Sequence, residues 1–161
     1  MFDRPPLVPV FAGLIMILVV LGTALGSWPD WWSLYLPQPV GAAFRLREKR
    51  YLVRSDGCAQ RAIDDWHTVL TSKRPESWFR SIVVEATTPA GLVYGLVGLQ
   101  ATDSAEFTRR MSRVSRALLA DTMTVLDSES VSVLRLQDVI PNIETGLLLR
   151  SWTDIYPRPE C

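Results

Sequence analysis

Histidine is almost missing from this chain, with His67 the only one among 161 residues, and cysteine occurs only at Cys58 and Cys161. One imidazole and two distant thiols do not assemble a zinc set, which needs several such ligands at close spacing. No CxxC pair is present, no G-x-S-x-G elbow, no glycine-rich phosphate loop and no c-type haem motif. Charge of either sign is not in excess: 17 basic residues cancel 17 acidic ones. The chain therefore lacks the field that draws nucleic acid, and no nucleic-acid partner is expected. Asp64 and Asp65 are adjacent, and neighbours in sequence do not share a helix face. His67 is read as a surface neighbour of Asp64, not as half of a catalytic dyad. No catalytic residue, cofactor or metal is expected from these absences.

What the chain does have is a long uncharged run. Residues 7–27, LVPVFAGLIMILVVLGTALGS, carry no Asp, Glu, Lys or Arg. As a helix they reach about 30 Å, one hydrocarbon core. Trp28, Trp31, Trp32 and Tyr35 follow at once, as interfacial aromatics do at the end of a span. A cleaved signal peptide would have a shorter apolar core, so the segment is read as a retained anchor. Arg4 precedes it, and Arg45, Arg47, Lys49, Arg50 and Arg54 come well after. The immediate C-terminal flank is not basic, and long domains translocate largely regardless of charge. The expected location is the inner membrane, single-pass, with the following domain in the periplasm. An oxidising compartment there permits a Cys58–Cys161 disulfide.

The remainder reads as mainly α: one N-terminal transmembrane helix, then a small helical extrinsic domain with a C-terminal β-hairpin. The expected divisions are a tail over 1–6, the span over 7–27, an aromatic and proline-rich interfacial linker over 28–43, and the extrinsic domain over 44–161. Residues 44–54 fit a short helix or a strand. A helix then carries Ala62, Trp66, Val69 and Leu70 in one apolar stripe with Cys58, with Asp64, Asp65 and His67 at its flanks. A second runs from Glu76 to Ala86. A third begins after Thr88 with Pro89 at its first position and places Gly91, Gly95 and Gly98 on one side. It is too short to span a membrane, and its glycines suit close approach by another helix.

A fourth helix is predicted over 104–119, capped by Asp103 with Glu106 three residues on. Phe107, Met111, Val114 and Leu118 form its apolar side; Arg109, Arg110, Arg113 and Arg116 form the other. Arginine makes planar, bidentate contacts with carboxylates, so this face is the expected partner surface. Met123 and Val125, then Val131 to Leu136 across a polar Asp127–Ser130 turn, predict a β-hairpin. Pro141-Asn142 is expected to end it. The pattern fits a non-catalytic accessory subunit of a larger membrane complex, respiratory or photosynthetic, with other membrane subunits and the lipid bilayer as its partners. The alternatives are a membrane-anchored binding or assembly factor and an anchored enzyme.

Overall fold

The computed structural model describes residues 36–54, 61–114, 116–127 and 130–154. They belong to one unit that begins at Leu36. In chain order the elements are α1 (Val40–Arg47), β1 (Tyr51–Val53), α2 (Arg61–Leu70), α3 (Pro75–Glu85), α4 (Pro89–Thr102), α5 (Ser104–Met111), α6 (Arg116–Leu119), β2 (Thr122–Leu126), β3 (Val131–Arg135), α7 (Leu136–Glu144) and α8 (Leu147–Asp154). The domain is mainly helical with a small three-stranded sheet in the order β1-β2-β3. β2 and β3 form the expected antiparallel hairpin, and β1 pairs parallel to β2. That parallel pairing needs a long crossover, which helices α2 to α6 supply.

Helix α4 is the centre of the domain. Thr88 Oγ1 accepts the Gly91 N–H at 3.0 Å, and Pro89 occupies the first turn. Every residue from Ala90 to Leu99 is buried. A helix buried all round must meet neighbours on every side, and the glycines let them come close. A Cβ on Gly91 would overlap the Arg47 carbonyl oxygen at the end of α1; one on Gly98 would overlap the Phe79 ring of α3. On Gly95 it would stand 2.6 Å from Val83 Cγ2. The glycine stripe thus serves two neighbours, α1 at one end and α3 along the rest.

Four aromatic rings fill the space between α2, α3, α4 and α8. Trp152 stacks on Tyr94 with centroids 5.1 Å apart and meets Trp66 edge-on at 5.3 Å; Phe79 tilts against Trp66 at 5.8 Å. All four side chains are fully buried. The Trp66 indole donates to the Tyr94 carbonyl at 3.2 Å. Such buried aromatic N–H and O–H groups are tolerated only with partners.

Several expectations need correction. Residues 40–43, expected as linker, open α1, with Gly41, Ala42 and Ala43 buried. The ambiguous 44–54 stretch divides into the end of α1 and strand β1. Asp65 and His67 do not flank α2 but are buried, because α1 lies over one side of that helix and α8 over the other. The predicted 104–119 helix is two pieces, α5 and α6, and Leu118 is exposed rather than in the core. Pro141 does not break the chain but sits inside α7. An interior proline costs about 3 kcal/mol; burying Leu136, Val139 and Ile143 from the same helix returns about 1.5–3 kcal/mol each. Among the described residues no helix is long and apolar enough to cross a membrane. The 7–27 span, Trp28, Trp31, Trp32, Tyr35, Cys58 and Cys161 lie outside the described residues.

Candidate partner surface

The four arginines of the expected surface do not act alike. Asp103 Oδ1 accepts the Glu106 N–H at 3.0 Å and starts α5 as predicted. The Glu106 side chain does not turn outward to complete the cap. It is almost entirely buried and gathers three guanidiniums: Arg110 Nε at 2.7 Å, Arg80 Nε at 3.7 Å, and Arg109. Arg80 also reaches Asp103 Oδ2 at 3.4 Å, tying α3 to the start of α5. A buried carboxylate without such partners would be strongly unfavourable. Arg109 and Arg110 are therefore structural at their inner atoms.

After Met111 the helix stops. Ser112 Oγ donates to the Arg109 carbonyl at 2.9 Å. Side-chain bonding of this kind offers the backbone an alternative to the next helical turn. A turn follows, with Arg113 N–H on the Arg110 carbonyl at 3.0 Å and Val114 N–H on the Met111 carbonyl at 3.2 Å. Arg113 lies in that turn and Arg116 opens α6; both are exposed. The expected single stripe of Arg109, Arg113 and Arg116 is thus corrected: Arg109 and Arg110 grip a buried acid, whereas Arg113 and Arg116 stand on a separate short segment. Among the described residues no carboxylate is paired with Arg113 or Arg116. Three guanidiniums meet two carboxylates in the Glu106–Asp103 cluster, and two further exposed arginines lie next in sequence. The local surface is cationic.

The other polar groups of the domain hold its elements together. Arg45 Nε lies 3.1 and 2.9 Å from the two oxygens of Asp65, a bidentate grip of α1 on α2. His67 Nε2 is 2.9 Å from the Trp152 carbonyl oxygen. A carbonyl only accepts, so that nitrogen carries a proton and the ring joins α2 to α8. Tyr94 Oη accepts the Val53 N–H at 3.0 Å and donates to the Tyr51 carbonyl at 3.4 Å. Burial pushes its phenol far above the ordinary tyrosine value, so it stays a neutral donor. Among the described residues no three His, Cys, Asp or Glu side chains are grouped as metal ligands would be.

The Glu106 hub was not anticipated, although its signal is in the sequence: arginines at i+3 and i+4 from one glutamate on an amphipathic helix. The Arg45–Asp65 pair and the Tyr94 bonds had no local signal, since their partners lie 20 to 43 residues away. Compared with protein-family models, with curated proteins and with solved structures, the chain matches none.

Proposed function

We propose that this protein is a single-pass, non-catalytic accessory subunit of a larger membrane complex, whose extrinsic domain docks on an anionic partner surface through Arg113 and Arg116. The anchor is the uncharged 7–27 segment. The observation that carries the docking role is the division of labour among the arginines. Glu106 holds Arg109 and Arg110 in place, and the two arginines that follow are exposed and unneutralised. The buried acids, the histidine and the buried tyrosine are all occupied in holding the elements of the domain together, which further favours a scaffolding role.

The test is the double variant Arg113→Gln/Arg116→Gln in the full chain, expressed in its native membrane. It is expected to keep the wild-type melting temperature and to lose retention in its complex. Removing one partner of a desolvated interfacial pair costs about 2–5 kcal/mol, more than tenfold in retention. Unchanged co-purification would overturn the docking role of this surface. Recovery of the wild-type protein without any stoichiometric partner would overturn the subunit reading itself.

A further inference from the structure

The two edges of the small sheet are treated oppositely. At the β1 edge most of the outward backbone groups are taken by side chains. Tyr94 Oη receives the Val53 N–H and bonds the Tyr51 carbonyl, and Trp152 Nε1 donates to the Val53 carbonyl at 2.9 Å. At the β3 edge nothing comparable occurs among the described residues. The direction of its backbone groups follows from the hairpin. Asp127 and Ser130 exchange both backbone hydrogen bonds, and Leu136 N–H bonds the Asp121 carbonyl at 2.9 Å. In an antiparallel pair hydrogen-bonded positions alternate, so with this register Ser132 and Leu134 face β2. Val131, Val133 and Arg135 therefore turn their N–H and C=O groups away from the sheet.

Among the described residues that open edge is protected only by its five-residue length and the charge of Arg135 at its end. Edge strands are normally blunted by proline, a bulge, inward charge or a covering element. β3 has no proline and pairs with β2 without a bulge. Its two valines are 71% and 68% exposed at Val131 and Val133, their side chains together on one face of the sheet beside the outward backbone groups of the edge. A row of free donors and acceptors beside β-branched side chains accepts one kind of occupant, another extended strand.

We propose that the occupant is β3 of a second copy, antiparallel across a two-fold axis at Val133. The outward positions 131, 133 and 135 are symmetric about Val133. Val133 would face Val133 of the other copy, and Val131 would face Arg135 in both directions, so every outward backbone group of the three residues is paired. The two Arg135 guanidiniums would sit at opposite ends, with Cα atoms about 14 Å apart, free of like-charge contact. The long arginine stem can lie over the facing valine. A parallel arrangement would instead bring the two Arg135 side chains together. Because the β1 edge is closed by Tyr94 and Trp152, β3 cannot pair with β1 of the next copy and grow a fibre; association closes at two copies. This surface is independent of Arg113 and Arg116.

The experiment uses the full chain in detergent, with Cys58 and Cys161 replaced by Ser. Particle mass should correspond to two copies. Val133→Cys should be joined to itself by a short bismaleimide, whereas Val84→Cys, at a valine 61% exposed on α3, should not. Among the described residues the Val133 N–H makes no bond, so Val133→Pro should yield single copies with the wild-type circular dichroism; Val133→Lys should do the same if proline disturbs folding. A wild-type protein that is a single copy, or a dimer that persists in both Val133→Pro and Val133→Lys, overturns the proposal. So does capture of Val133→Cys in native membranes by a different chain in place of a second copy.

Discussion

Trp152 donates its indole N–H to the Val53 carbonyl at 2.9 Å across 99 residues of sequence. Its own carbonyl lies 2.9 Å from His67 Nε2. One residue of the last helix thus fastens both the edge of the sheet and helix α2. Trp152→Ala is expected to destabilise the domain by about 3–5 kcal/mol, the cost of emptying a fully buried aromatic site. Trp152→Phe retains most of the volume but leaves the Val53 carbonyl unpaired, for about 1–3 kcal/mol. Urea midpoints of the two variants against wild type check the order; a Phe variant as stable as wild type would mean the bond carries nothing.

Tyr94 makes alkaline stability a readout of its burial. The phenol titrates far higher in the folded protein than the ordinary value, near 10 in an unfolded chain. The stabilisation is complete below about pH 10 and is lost as pH rises above it, because only the unfolded state then releases the proton. The slope expected is about 1.4 kcal/mol per pH unit from this group. Tyr94→Phe should flatten that dependence between about pH 10 and 11.5 while costing about 1–3 kcal/mol at neutral pH through the unpaired Val53 N–H. Urea midpoints across this range, wild type against variant, check both.

Glycines of the central helix should not obey helix propensity. Gly→Ala in a helix interior ordinarily gains about 1 kcal/mol. Gly91→Ala is expected to destabilise instead, because its Cβ would overlap a backbone carbonyl that cannot rotate away. Gly95→Ala meets the Val83 and Ile82 Cγ2 atoms and, at 3.0 Å, the Val83 backbone nitrogen; its overlap is smaller than at Gly91 and it should cost less. Gly146 has φ +71° and a Cβ there would meet Gln100 Nε2 at an ordinary 3.8 Å, so its alanine variant suffers only the left-handed backbone penalty, about 1–2 kcal/mol. Melting temperatures of the three variants give the ranking directly.

Glu106→Gln separates the structural arginines from the exposed ones. Removing a buried charge that holds Arg80, Arg109 and Arg110 is expected to cost about 3–5 kcal/mol. Arg113→Gln and Arg116→Gln should each stay near zero, as exposed charges do. Thermal unfolding of the three single variants measures this; equal losses would mean that α6 is tied into the same network.

The local elements were legible from neighbouring residues. Thr88-Pro89 and Asp103 set the starts of α4 and α5, the apolar stripe set α2, and alternating Met123/Val125 with Val131/Val133 set the hairpin. These are contests among neighbours, decided by capping, periodicity and turn chemistry within a few residues. The split of the predicted fourth helix at Ser112 was not readable, because one serine side chain competes with a helical turn on nearly equal terms. Long-range packing allows Pro141 inside α7, since the compensating burial of Leu136, Val139 and Ile143 depends on what α7 packs against. It also decided which polar residues are buried. Asp65, His67 and Glu106 resemble surface residues in sequence; Asp65 and His67 are inside because a distant group, Arg45 or the Trp152 carbonyl, arrives to satisfy each, whereas Glu106 is held by its helix neighbours Arg109 and Arg110 with Arg80 joining them. The same long-range contacts close the β1 edge and leave the β3 edge open. Sheet order is fixed by pairings between strands nearly 70 residues apart, and no local pattern encodes which edge remains free.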